Sequence, residues 1–382
     1  ANLFNENHID PLAISLFLVL KYIPAPMTGF RKIKKLLPGE MRIYSINGNF
    51  IEAKKIKRRK SQVIRHTPST TRSLIINSVK EHLNSDLKIS SLLSGGLDSS
   101  IITYEAKNLL GNIDAFTAFQ KDPFLDEDVI HSNILSKEIG INHHLIKIPD
   151  LNYEKISSPL KQLSEPTADP AFITGFYLIN EIKEFNKVLL SGDGADEIFG
   201  GYGINNKFKN RINKINISHG LTDIITSLNK KIVPNIIYKN RFSKKLLRYY
   251  DSSINERLIF LSLYSGLPIS LIKLIMPENI LNIINLPEHN IPAIIQDYEL
   301  NEFMPNYFLT KVDSMSMLNS VEVRNPFISG IIRRNSDAYV NDGYSNKKEN
   351  LLESYKNILP DQIIKRKKMG FTRNLDIFKD NK

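Results

Sequence analysis

The 382-residue chain is 42% hydrophobic, carries a formal charge of +11 and contains no cysteine. Its length provides for a sizeable core and for two domains or one large one, while the missing cysteines exclude disulfides, thiolate metal sites and a cysteine nucleophile. The opening "ANLFNENHID" lacks the charged, apolar and small-residue zones of a signal peptide, so a soluble cytoplasmic protein is expected.

The first predicted element is a short apolar helix, "PLAISLFLVLKY". It breaks at Lys21, before Pro24 and Pro26, well short of the roughly 18 residues of a membrane span, and no membrane partner is expected. Turns follow in "IPAPMTGFRKIKKLLPGE", and then two strand-like runs around Asn47-Gly48, a hairpin signal. The basic run "KKIKRRK", Lys54 to Lys60, has no aromatic residues among its charges and adjoins "HTPSTTRS". It reads as a solvated linker, and nucleic acid is not the expected partner despite the net charge.

From about 68 to 202 helix and strand alternate. "TRSLIINSVKEHLNS" is helical, "LKISSLL" strand-like, "SSIITYEAKNLLG" helical up to Gly111, "IDAFTAFQ" strand-like, "DEDVIHSNILSKEIG" helical up to Gly140, "HHLIKI" a strand, "PAFITGFYLINEIKEF" a helix and "KVLLSG" a strand. The alternation predicts an α/β fold, a parallel doubly wound sheet with helices on both faces, whose ligands bind beyond the carboxyl ends of the strands. From 203 to about 320 amphipathic stretches such as "SKKLLRYYDSSINERLIFLSLY" predict an added helical subdomain.

Two glycine-rich stretches carry the chemistry. "SGGLDSS", Ser94 to Ser100, lies between a strand and a helix, where backbone N–H groups and the positive helix end favour an anion. Gly95 and Gly96 permit φ > 0 and close approach of phosphate oxygens, and Ser94, Ser99 and Ser100 add hydroxyls. No Lys-Ser/Thr follows the glycines as in a Walker A loop. Asp98 stands there instead, compatible with phosphate only through a cation such as Mg²⁺. A capped turn is the alternative reading. The second stretch, "LLSGDGADEIFGGY", follows a buried strand with Ser191 and Gly192 and packs three acids (Asp193, Asp196, Glu197) and four glycines between Gly192 and Gly201. Set beside the first loop, it would let Asp98 and Asp196 share a metal. His143 and His144 have no ligand-spaced companions and read as structural, and Met315 and Met317 read as packing or pocket wall.

Together, "SGGLDSS" and "SGDGADEIFGGY" resemble the synthetase domain of the class B, glutamine-dependent asparagine synthetases, within the PP-loop ATP-pyrophosphatase superfamily. Further matches run in order along the chain: Asp126-Glu127, "EPTADPA" from Glu165, "FMPNYFLTKVDSMSMLNSVEVRNPF" from Phe303 and "KRKKMGF" from Lys365. "YIPAPMTGFRKIKKLLPGE" is similar to the end of that family's N-terminal glutaminase domain, so residues 1–60 are expected to be a remnant of it, and 61–382 the synthetase domain with its helical part at about 203–320. The resemblance implies an adenine nucleotide α-hydrolase-like fold and a reaction in which ATP adenylates a carboxylate, aspartate's in the parent enzymes, before nitrogen displaces AMP. It implies that Ser94 to Ser99 hold the pyrophosphate portion of ATP, that Leu92 and Leu93 flank the nucleotide, and that Asp98 and Asp196 bind Mg²⁺. It further implies that Asp193 takes the proton of the attacking amine and that Lys368 stabilises charge on the acyl-adenylate. Lys365, Arg366 and Lys367 by themselves read as a surface charge run. Lys311, Asp313, Glu322 and Arg324 fall in matching segments, Glu322 and Arg324 either as catalytic groups or as an ion pair supporting the pocket.

The chain also departs from that family. Without cysteine it cannot release ammonia from glutamine by the parent route, which leaves a fragment of a longer protein, ammonia from a separate glutaminase subunit, or another amine, as in relatives that make β-lactams or close lasso peptides. "PFIS" has Ser329 where the family has an acid, and Glu349 and Glu353 replace the usual basic residues of the following helix. These changes bear on the aspartate specificity more than on ATP use, and keep a sugar acid or peptide carboxylate open, as well as an inactive ATP-binding subunit. A homo-oligomer is compatible with the sequence.

Overall fold

The structure is a computed structural model that describes residues 8–56, 67–201, 256–276, 295, 297–332 and 348–367. Contacts divide the chain into two units, residues 1–33 with 203–298, and 34–202 with 299–382. The division does not fall at residue 60, because the hairpin after residue 34 groups with the second unit.

Helix α1 (Pro11–Leu20) belongs to the first unit. It starts on Asp10, whose carboxylate accepts the Leu12 N–H at 3.0 Å, and ends at Lys21 in the left-handed region. It buries Ala13, Leu16, Val19 and Leu20. In the second unit the hairpin of β1 (Glu40–Tyr44) and β2 (Phe50–Lys55) turns at Asn47-Gly48 as the sequence predicts, with Gly48 at φ +80°. Helix α2 (Pro68–His82) opens with a capping box in which Thr67 and Thr70 bond each other's backbone N–H.

The predicted alternation then appears: β3 (Ile89–Leu92), α3 (Leu97–Leu110), β4 (Asp114–Phe119), α4 (Glu127–Ile139), β5 (Asn142–Lys147), α5 (Tyr153–Leu160), α6 (Ala171–Ile182), β6 (Val188–Leu190) and the short α7 (Ala195–Phe199). Gly111 and Gly140 end α3 and α4 at positive φ. In the first unit follow α8 (Glu256–Ser265) and α9 (Ile269–Ile275), where Phe260, Tyr264 and Tyr298 form an aromatic cluster and the Tyr22 and Tyr298 hydroxyls meet at 2.7 Å. The second unit resumes with a π-helical segment (Glu299–Leu309), α10 (Thr310–Met317), β7 (Glu322–Arg324), a 3₁₀ turn (Pro326–Ile328), α11 (Glu349–Tyr355) and α12 (Asp361–Ile364).

The five parallel strands lie in the order β5-β4-β3-β6-β7. Alternate residues of each strand serve opposite faces. Val188 and Leu190 join the core shared with Ile75 and Val79 of α2 and Ile101 and Ile102 of α3, while Leu189 joins Phe172 and Ile179 of α6 and Val312 and Met315 of α10. Helices therefore cover both faces, as expected of a doubly wound sheet. Chain order runs outward from β3 on one side and from β6 on the other, so the crevice between β3 and β6 is the topological switch point, where open α/β sheets bind their ligands.

Candidate functional site

Both glycine-rich stretches emerge at this switch point, from neighbouring parallel strands. After β3 the chain folds round its own hydroxyls: Ser99 Oγ accepts the Ser94 N–H at 3.1 Å and lies 3.0 Å from Ser94 Oγ. Gly95 adopts φ +68°, and a Cβ there would stand 2.5 Å from Ser132 N on α4, so no side chain fits. Gly96 caps α3 without a side chain, leaving the first-turn N–H groups of a 14-residue helix to attract an anion.

The second loop lies directly against the first. A Cβ on Gly192 would come within 2.6 Å of Ser99 N and 3.0 Å of Asp98 Cβ. Ser191 donates its hydroxyl to Asp193 Oδ2 at 2.8 Å, fixing that carboxylate beside the loop. Asp98 and Asp196, far apart in sequence, converge on one cation. Lys348 Nζ lies 2.5 Å from both carboxylate oxygens of Asp98 and 2.7 Å from Asp196 Oδ1. Lys348 is only 8% exposed. Burial works against its ammonium, but the charges and hydrogen bonds of the two aspartates outweigh it and hold the pKa above the ordinary lysine value.

The donor set of the pair is hard carboxylate oxygen, and the two groups already point at a single cationic position, which suits Mg²⁺. Among the described residues no group of three or more His, Asp or Glu side chains gathers as a metal site. A Mg²⁺ held here would take its remaining ligands from phosphate and water, its usual habit.

Other residues singled out from the sequence take varied places. Leu93 is 1% exposed, inside the core, with its carbonyl held by the Thr117 hydroxyl, and Leu92 is half-buried against the opposite core. Ser100 is fully buried within α3. The Arg324 guanidinium bonds Glu322 at 2.8 Å and the carbonyls of His82 and Asn84 at 2.8 and 2.9 Å. Arg324 thus braces the C-terminal end of α2, with Glu322 paired to it. Lys368 lies outside the described residues. Lys311 pairs with Asp169 at 2.8 Å, both largely buried, and its ammonium lies 4.5 Å from the centre of the Phe308 ring. Burial and the neighbouring Asp169 push the Tyr307 phenol well above its ordinary pKa. The "EPTADPA" and "KVDSMSM" segments therefore meet in space. Asp313 faces solvent, Met315 fills the space left by Gly175 on α6, and Met317 is exposed.

Two basic residues were not legible as site components. Lys348 is the first. The second, Arg366, is no surface charge: its side chain is 6% exposed and donates to the Ser94 carbonyl at 2.7 Å and to Asp128 on α4 at 2.5 Å, tying the phosphate-type loop to its neighbour. Lys365 beside it is exposed, as a charge run would be.

His143 supports the loop from behind. Its Nε2 lies 2.8 Å from the Thr117 hydroxyl that holds Leu93, and its Nδ1 lies 3.0 Å from Asn133. Burial, then the nearby His144 charge, depresses its pKa from 6.5 to about 4. The unfolded chain binds this proton between those values and the folded one does not, so stability is full above pH 6.5 and falls as the pH drops toward 4. We expect urea unfolding to report a loss of about 1 kcal/mol between about pH 7.5 and pH 5, the full linkage value of about 2 kcal/mol being reduced by partial solvent exposure, and His143→Gln to flatten it.

The sequence profile described as asparagine synthase matches residues 70–379. The chain is 25% identical over 402 aligned residues to the glutamine-hydrolyzing asparagine synthetase 1 of Bacillus subtilis, covering 96% of this chain and 60% of that protein. It is 25% identical over 395 residues to a putative glutamine-hydrolyzing asparagine synthetase of Mycobacterium bovis, covering 96% and 58%. The chain thus spans about three fifths of the length of these relatives. Among solved structures, the NMN synthetase of Francisella tularensis overlaps 35% of this chain and 57% of its own at 20% identity and a TM-score of 0.26.

Proposed function

The chain belongs to the asparagine synthase family, and on that premise we propose that it is an ATP-dependent amide-forming ligase acting first on the side-chain carboxylate of aspartate. The observation that carries this reading is the meeting of two glycine-rich loops at the β3/β6 switch point, with Asp98 and Asp196 directed at one cationic position.

In this reading the backbone and hydroxyls of Ser94 to Ser99 bind the pyrophosphate portion of ATP, with Ser191 and Gly192 closing the other side. Asp98 and Asp196 would hold Mg²⁺, which when bound offsets the charge of the leaving pyrophosphate. A carboxylate oxygen attacks the α-phosphorus, the bond to pyrophosphate breaks, and an acyl-adenylate forms. An amine then attacks the acyl carbon, AMP leaves, and Asp193, positioned by Ser191, accepts the proton the amine gives up. Lys368 would stabilise the charge on the adenylate. These 382 residues contain no cysteine, so the nitrogen would arrive as ammonia, from solution or from a glutaminase domain or subunit outside this sequence, or as another amine.

A specific observation favours a second acceptor class. Ser329 stands where the family has an acid, and it is buried with its hydroxyl 2.8 Å from Ser78, a neutral contact. A sugar acid or peptide carboxylate would be activated by the same chemistry.

The test is exchange of labelled pyrophosphate into ATP with Mg²⁺ and a carboxylic acid present. Exchange dependent on L-aspartate, with asparagine formed on adding ammonia, is the expected result. Exchange only with a sugar acid or peptide would transfer the function to the second class, and no exchange with any acid would overturn the ligase reading.

A further inference from the structure

The cationic position between Asp98 and Asp196 is filled by a side chain of the protein itself, which the family reading does not use. Three features show that the arrangement is built for this lysine. The ammonium reaches both carboxylates at hydrogen-bonding distance, 2.5 and 2.7 Å, on a side chain 9% exposed. Gly201 is bare where a Cβ would stand 1.7 Å from Asp196 Oδ1 and 2.7 Å from Lys348 Cε, so the last glycine of "SGDGADEIFGG" makes room for both partners. And Lys348 sits at the N-cap of α11 in the left-handed region, φ +60° and ψ +32°, without a capping bond from its side chain. That backbone conformation suits glycine or asparagine and is strained for lysine, so its presence there is explained by the reach of its ammonium and not by helix capping.

We propose that Lys348 is a tethered resident cation that occupies the divalent-metal position while the nucleotide is absent, so that ammonium and metal are mutually exclusive occupants of the Asp98–Asp196 pair. This rests on the proposed role of those two aspartates. The exclusion follows from size and charge. A Mg²⁺ ion needs its carboxylate oxygens at about 2.0–2.1 Å, and with the ammonium 2.5–2.7 Å from the same oxygens the two cations would overlap in space and repel strongly. The ammonium must leave for the metal to enter. Phosphate arriving with the metal offers it a new anionic partner within reach of its flexible stem. The site would therefore take metal poorly by itself and well together with nucleotide, while keeping two facing carboxylates neutralised in the meantime.

The experiment is a titration of nucleotide-free protein with MnCl₂ alone, reading free Mn²⁺ by its electron paramagnetic resonance signal. Lys348→Met, which keeps the stem and removes the charge, is expected to bind Mn²⁺ at least about tenfold more tightly than the wild type, and adding Asp98→Asn to that variant is expected to abolish the gain. Equal affinity in wild type and variant would overturn the proposal. Should the methionine variant fail to fold, Lys348→Gln carries the same comparison. A second readout uses wild type only: acetylation of lysines followed by mass spectrometry. Lys348 is expected to be protected in the nucleotide-free protein and several-fold more reactive once Mn²⁺ is bound, and unchanged protection with metal bound would also overturn it. Neither readout depends on turnover, so absence of pyrophosphate exchange would count against the ligase reading and leave the metal result standing.

Discussion

Replacing Asp98 by asparagine is expected to lower carboxylate-dependent pyrophosphate exchange by about 10²–10³-fold, the range seen when one preorganised group facing developing charge is removed. The substitution keeps the shape of the side chain, so the close packing of Gly192 on Asp98 and Ser99 is retained. What changes is the charge facing the cation. The first turn of α3 and the loop hydroxyls still attract phosphate, so ATP binding should weaken less than turnover falls, a loss in kcat larger than the rise in KM. Asp196→Asn should behave alike, and the double variant should lose little more than either single one, because the two act as one site. Exchange at the native rate in either variant, with ATP and Mg²⁺ saturating, would remove that aspartate from the metal assignment.

The sequence showed the frame of this site better than its contents. The parallel sheet was legible because central strands such as "KVLL" are continuous apolar runs and because Gly111 and Gly140 mark where α3 and α4 stop. The nearness of the two loops was legible as far as alternation implies a doubly wound sheet. β7 was not. "EVR" has three residues, one of them apolar, and owes its extended form to pairing with β6, a tertiary effect that leaves no local pattern. Helix α5 is similarly quiet, short and with Pro159 inside it. Lys348 was hidden for another reason: it sits in the polar stretch "NKKEN", and nothing in the spacing of charges tells which lysine turns inward. The resemblance places the family's basic residues of that helix at Glu349 and Glu353. Both are exposed, Glu353 beside Lys356 at 3.2 Å, while the lysine just before Glu349 reaches the aspartates.

Arg366 gives the same lesson a measurable form. In "KRKK" it reads as one charge of a run, yet among the described residues of that run its side chain is the buried one, bridging the Ser94 carbonyl and Asp128. An ion pair of this kind adds little net stability when formed, but removing the guanidinium takes a charged partner from the largely buried Asp128 and leaves a loop carbonyl without this donor. Arg366→Ala is therefore expected to destabilise the protein by on the order of 3 kcal/mol, read as a lower denaturation midpoint with unchanged denaturant dependence. Asp128→Ala should cost less, because Asp128 is the more exposed partner, at 16% against 6%. The double variant should cost clearly less than the two single losses added, since the Arg366–Asp128 contact can be lost only once. Additive losses would mean that the two side chains do not act as a pair. Because the guanidinium also holds the Ser94 carbonyl, Arg366→Ala should weaken pyrophosphate binding beyond what Asp128→Ala does, even at temperatures where both variants are fully folded. That difference in affinity separates a residue that positions the loop from one that only stabilises the fold: equal pyrophosphate affinity in the two variants would confine Arg366 to the latter.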